Sequence, residues 1–171
     1  NTAYTNGIAG DGFCLLGGSE GYAAAPCTLG DQGTIAFWYK PFRFYNYNSL
    51  FDNTKDPNQW EMWIDEGATV RFRLTGGQGD ITYSSLNSRH NGTNVWYHFA
   101  VTWDQYAATN HARLYINGCE CARANITSWL DPGTQVYFGG HSGNKPAEGI
   151  FDDVRIYTTA LTDAQVQAVH A

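Results

Sequence analysis

Apolar and polar residues alternate with a period of two over short windows along most of this chain, and helical spacing appears at its end. The longest alternating run is Trp96–Trp103 (WYHFAVTW), where Tyr97, Phe99, Val101 and Trp103 make an apolar face and Trp96, His98, Ala100 and Thr102 a mixed one. Thr34–Lys40 (TIAFWYK) is apolar on both faces, which predicts a central strand covered on both sides and ended by Pro41. Phe13–Leu16 and Tyr22–Ala25 read as strands around Gly17-Gly18-Ser19-Glu20, and Ile81–Tyr83 and Tyr137–Gly140 as further short strands. Arg113–Ile116 and Cys119–Ala122 flank Asn117-Gly118, the strongest short hairpin signal. Residues 1–12 are polar and glycine-rich and predict a loosely held terminus. Phe42–Asn48 (FRFYNYN) lacks clean alternation and predicts a loop or an irregular edge.

One hairpin can be put in register. With Glu66-Gly67-Ala68 as its loop, Ile64 faces Val70, Met62 faces Phe72 and Trp60 faces Leu74, so the apolar residues share one face. A loop one residue shorter sets Met62 against Arg71 and mixes the faces, so the first register is expected. It places Trp63 across from Arg71 and Glu61 across from Arg73 on the opposite side.

The last segment, Gly149–Ala171 (GIFDDVRIYTTALTDAQVQAVHA), carries most information. Unbroken alternation sets Asp152 on one face with Ile150, Val154 and Ile156, the face expected to meet the core. A carboxylate there requires backbone N–H donors, a cationic side chain or a metal, because an unpaired buried charge is costly. Asp153 alternates outward and is expected to pair with Arg155. Thr162 and Gln165 have capping-box spacing, with Leu161 and Val166 placed as a hydrophobic staple, so a short helix is expected from Asp163.

The pattern therefore predicts ten or more short strands and one short helix in a single domain spanning residues 1–171, without a repeat or linker. A chain of this length buries roughly 70 % of the surface its unfolded form exposes, so it needs no disulfides to fold. The net charge of −6 argues against nucleic acid as a partner, and no apolar run approaches the length that spans a bilayer. No signal peptide is visible, and the chain starts as a mature or trimmed domain is expected to. Cys14, Cys27, Cys119 and Cys121 are even in number, which points to an oxidising compartment and to disulfides joining the first pair to the later pair. The alternatives are buried free thiols and a zinc site, against which Cys119-x-Cys121 lacks the usual two-residue spacer.

Several segments in this order resemble the laminin-G-like jelly rolls of the concanavalin A-like lectin/glucanase superfamily: TIAFWYKP, VWYHFAVTWD, ARLYING, Gly139-Gly140 and GIFDDVRIYTTALTDAQV. The resemblance implies an all-β fold, a two-sheet antiparallel jelly-roll sandwich with one short C-terminal helix. It implies that the first and last strands lie side by side, and that a structural calcium sits where they meet, held by the acidic residue at the Asp152 position. Relatives often carry Phe-Asp-Gly in the first strand, where this chain has Leu16-Gly17-Gly18. Asp11, Glu20 and the backbone carbonyl of Gly17 are the substitute ligands.

Glu61, Asp65 and Glu66 invite an enzyme reading, but Glu61 is followed by Met62, Trp63 and Ile64, which breaks the Glu-x-Asp-x-x-Glu pattern that the resemblance implies for a glycosidase. The polysaccharide-lyase set of Tyr and His matches no spacing here. Sugar binding instead calls for flat aromatics beside polar side chains. Trp63 with Arg71 has that character, as do Tyr45 and Tyr47, and Trp129 and His141 in later loops join the candidate set. The competing reading is that these aromatics are core, with Trp over Arg a cation–π contact only. The expected function is non-catalytic binding of a polysaccharide or glycan by a secreted protein, alone or attached to other domains of a larger one. The alternatives are an adhesion or protein-interaction domain and a small glycan-active hydrolase or lyase.

Overall fold

The computed structural model describes residues 2–16, 21–44, 47–53, 60–74, 80–86, 92–126, 129, 133–140 and 147–171. The strands are β1 (Thr2–Asn6), β2 (Asp11–Leu16), β3 (Ala23–Pro26), β4 (Gln32–Pro41), β5 (Asn48–Asp52), β6 (Glu61–Ile64) and β7 (Val70–Arg73), followed by β8 (Ile81–Tyr83), β9 (Tyr97–Asp104), β10 (Ala112–Ile116), β11 (Cys119–Ala124), β12 (Gln135–Phe138) and β13 (Glu148–Tyr157). They pair into a seven-stranded sheet, β1-β2-β13-β4-β9-β10-β11, and a six-stranded sheet, β3-β12-β5-β6-β7-β8. The pairing is antiparallel throughout. The expected jelly-roll sandwich is present, and β2 lies beside β13 as the resemblance implied.

The core lies between the sheets and is aromatic. Phe37 packs against Phe51, Phe99, Phe138 and Phe151, with ring centroids 5.7 to 6.3 Å apart. Trp60 meets Trp103 edge-on at 5.1 Å. The registered hairpin forms as read: Glu61 opposes Arg73, Met62 Phe72, Trp63 Arg71 and Ile64 Val70. Its loop closes with Ala68 N–H donating to the Asp65 carbonyl and Ala68 at φ 55°, the left-handed step that ends a three-residue hairpin loop. Asn117 and Gly118 both have positive φ, as a two-residue hairpin turn requires.

Two expectations are corrected. Residues 2–6 form β1, hydrogen-bonded to β2 from Thr2↔Leu15 to Asn6↔Asp11, instead of a loose terminus. An edge strand buries little, so its hydrophobic pattern is weak. The faces of β13 are also reversed at Asp152. Phe151 is fully buried in the core opposite Tyr39, and Asp152 opposes Trp38 on the outer face. A β-bulge between Asp152 and Arg155, with Asp153 at φ 46°, adds a residue and shifts the phase, so Ile156 returns to the core side.

The outer face of the seven-stranded sheet is covered by helix α1 (Asp163–His170). Ala36 and Ala100, a cross-strand pair, leave room for Val166, which is buried against them and Tyr115. Thr162 caps the helix: its side chain accepts from Gln165 N–H, and the Gln165 side chain accepts from Thr162 N–H. Thr162→Ala is expected to cost about 1 kcal/mol in a denaturant melt, and Thr162→Ser much less.

Candidate functional site

No helix covers the outer face of the six-stranded sheet among the described residues, and polar and aromatic side chains meet there. The registers of β12, β5, β6, β7 and β8 line up Tyr137, Asp52, Glu61 and Arg73 in one row and Ser49, Trp63, Arg71 and Thr82 in the next. Arg73 is the hub. Its Nη1 donates to Glu61 Oε1 at 2.8 Å, and its Nε and Nη2 donate to Asp80 Oδ1 and Oδ2 at 2.8 and 3.3 Å. Arg71 lies 3.7 Å from Asp80 and 3.5 Å from Asp65. The result is a fixed fan of guanidinium and carboxylate groups, a geometry suited to bidentate hydrogen bonding.

Trp63 is only 5 % exposed. Tyr47 lies flat on it, ring centroids 4.9 Å apart and planes 11° off parallel, and the Arg73 guanidinium sits 4.9 Å from its ring. Tyr47 adopts φ 95° and donates its hydroxyl to Glu61 Oε2. Burial and the Glu61 carboxylate both push the Tyr47 phenol up, so it remains a neutral donor. Farther along the same face, Tyr22 meets Tyr137 edge-on at 5.4 Å, and Tyr137 donates to Gln135.

Three sequence-predicted residues, Trp63, Arg71 and Tyr47, therefore come together, but Trp63 supports the face from beneath and does not present a stacking surface. Tyr45 and His141 lie outside the described residues. Trp129 belongs elsewhere: it packs edge-on at 6.2 Å against Trp60, which is in the core. Residues absent from the predicted set are Glu61, Arg73, Asp80, Tyr22 and Tyr137. The hairpin register already carried the Glu61–Arg73 pairing. Asp80 gave no signal because it enters from a connecting segment.

Asp152 is satisfied by backbone N–H groups. Its Oδ2 accepts from Ile8 and Ala9 at 2.7 and 2.8 Å, and its Oδ1 accepts from Asp153 at 2.8 Å. Gly7 seals this cradle: a Cβ built there would lie 2.2 Å from Oδ2. Such a donor set turns positive charge toward the carboxylate and balances it without a cation. Asp11 begins β2 opposite Asn6, and Glu20 and Gly17 lie outside the described residues. No group of three or more His, Cys, Asp or Glu is placed to hold a metal among the described residues. As expected, Asp153 pairs with Arg155, at 2.8 Å.

All four cysteines are described, and all are free thiols. The expected bonds between the early and late pairs are ruled out for Cys14 by topology. β2 and β11 are five strand steps apart in one sheet, roughly 24 Å at the usual spacing, against less than about 7 Å between bridged Cα atoms. Cys27 follows β3, at the far edge of the other sheet.

A cleft of about 440 Å³ opens beside the start of α1, lined by Thr102, Asp104, His111, Arg113 and Asp163 among others. Its charges are largely engaged with one another: Arg113 bridges Glu120 and Asp163, and Tyr115 donates to Asp163 at 2.8 Å. These contacts anchor the helix to the sheet.

The family model described as the concanavalin A-like lectin/glucanases superfamily matches residues 16–167. Domain 4 of the GH43 extracellular arabinanase AbnA from Geobacillus stearothermophilus, solved with arabinotriose, is 23 % identical with a TM-score of 0.76, over 100 % of this chain and 82 % of that one. The heptameric SAP-like pentraxin from Limulus polyphemus is 19 % identical with a TM-score of 0.71, over 92 % of this chain and 80 % of that one. The binding domain of botulinum neurotoxin serotype G is 18 % identical with a TM-score of 0.78, over 99 % of this chain and 44 % of that one. These likenesses establish the shared fold. No curated protein matches the chain by sequence.

Proposed function

The chain belongs to the concanavalin A-like lectin/glucanases superfamily, and we propose that it is a non-catalytic carbohydrate-binding domain of a secreted protein. The observation that carries this reading is the ordered face of Tyr47, Arg71, Arg73 and Asp80 on the six-stranded sheet. Arg71 and Asp80 supply paired donors and acceptors for vicinal hydroxyls, and Tyr47, Tyr22 and Tyr137 supply ring surface for pyranose C–H groups. The arabinanase domain that was solved with arabinotriose shows the fold in such a setting, and attachment to a polysaccharide-degrading enzyme is part of the proposal. No helix among the described residues is long and apolar enough to cross a membrane.

Glycan arrays and affinity gels containing polysaccharides test the reading. Retardation or array signal is expected, and silence in both with a folded protein overturns it. Arg71, with a side chain 36 % exposed, is the residue to change. Arg71→Ala is expected to weaken glycan affinity about five- to tenfold, the loss of one charge-assisted hydrogen bond, while leaving the melting temperature nearly unchanged. Capture of a protein ligand on this face, without glycan binding, favours the adhesion reading.

A specific observation favours testing catalysis as well. Asp52 and Glu61 are cross-strand partners, which sets their Cβ atoms about 5 Å apart. Both are nearly fully buried and Glu61 is held by Arg73 and Tyr47, an arrangement that serves structure better than proton transfer. Release of reducing ends from a polysaccharide panel, abolished by Glu61→Gln, supports the enzyme reading over binding alone.

A further inference from the structure

We propose that the C-terminal helix is docked through a histidine latch that acid releases. The latch is on the seven-stranded sheet, away from the face assigned to carbohydrate. His98 of β9 stands on the outer face beside its register partner Trp38 of β4, 1 % exposed, and its Nδ1 is buried without a hydrogen-bond partner. His170, in the last turn of α1, closes over both. Its ring stacks on Trp38 at 5.2 Å and 28°, and its centroid is 5.5 Å from that of His98. The β10–β11 turn packs behind it, where a Cβ on Gly118 would lie 3.3 Å from the His170 ring.

The surroundings suit a neutral imidazole. From β13, Asp153 and Arg155 face His98, but they are ion-paired with each other at 2.8 Å. From α1 the facing group is His170, a second base. Trp38 from β4 and Asn117 from the turn add no charge, and Asn117 engages only the backbone of His98. Burial first, then His170, pull the His98 imidazole down to about 4 from the ordinary 6.5. A group with a depressed value in the docked state is protonated preferentially in the undocked one. Docking strength is therefore full above about pH 6.5 and falls as the pH drops from there toward 4.

Release uncovers the remainder of the helix seat, Ala36, Ala100 and Tyr115. A helix of eight residues does not persist without its packing, so undocking and unwinding coincide. A cleft of about 460 Å³ lined by Trp38, Asp153, Arg155 and His170 brings water to the edge of the latch.

Hydrogen exchange of the intact chain, corrected for the intrinsic pH dependence of exchange, tests this. Between pH 7.5 and 5 the amides of Val166 to Ala171 are expected to lose about 30-fold in protection, from His98 alone at the two values above, while the amides of β4 keep more protection than the helix throughout. His98→Phe keeps a buried ring and removes the titration, so its helix protection should not change between these pH values. His170→Phe keeps the stack on Trp38 and should reduce the acid effect. Unchanged helix protection in the wild type at pH 5 overturns the proposal. So does a His98→Phe protein, folded at pH 7.5, that loses protection as the wild type does.

Discussion

Trp63→Ala is expected to destabilise the domain by about 3–5 kcal/mol in urea unfolding, the cost of deleting a buried indole and leaving its cavity. The side chain points away from the core between the sheets, and position along the strand alone would make it a surface residue. It is nevertheless 5 % exposed because Tyr47 lies on it. The substitution removes the surface on which Tyr47 rests and a cation–π partner of Arg73. Glycan affinity should fall as well, and Trp63→Phe, which retains a flat ring, should recover much of the stability. A Trp63→Ala protein that melts like the wild type would show that Tyr47 does not cover the indole in solution.

Asp152→Ala should cost at least about 3 kcal/mol. Three N–H groups, those of Ile8, Ala9 and Asp153, lose a charged acceptor that is itself 7 % exposed. Hydrogen bonds to a charged group contribute roughly 1.5–3 kcal/mol each, and not all of that is recovered by relaxation. For a chain of this size such a loss lowers the melting temperature by about 10 °C. Gly7→Ala should act in the same direction, because its methyl group would enter the cradle. The melting temperature of the wild type should not respond to a calcium chelator. A chelator effect that Asp152→Ala abolishes would instead place a cation at this carboxylate.

Much of the fold was legible from short-range pattern. The run of β4, apolar on both faces, identified a central strand, because a strand covered on both sides leaves a dense apolar record, and the alternating run of β9 gave the longest strand signal. The β6–β7 register followed from Met62, Ile64, Val70 and Phe72 alone, since a slip by one residue would have turned one strand's apolar pair away from the face that the other strand's pair keeps. The capping box at Thr162 and Gln165 marked the helix start, because both partners of a cap lie within four residues. Asp152 was singled out by the need to satisfy a carboxylate in a strand, and that need was real.

Long-range geometry decided the rest. Alternation within β13 could not reveal the bulge at Asp153, which depends on pairing with β4 and reverses the face of Asp152. The N–H donors that satisfy Asp152 come from residues 143 and 144 positions away, beyond any local pattern. The carbohydrate face had the same limit. Residue types and register placed Trp63 beside Arg71, but only the return of Tyr47 over the sheet decides that the indole is covered. The sequence by itself determined which residues needed burial or a partner, because hydrophobicity, charge and turn chemistry are local properties. The tertiary structure decided which partner each one met, because that depends on how distant strands cross and on what the connecting segments lay over them.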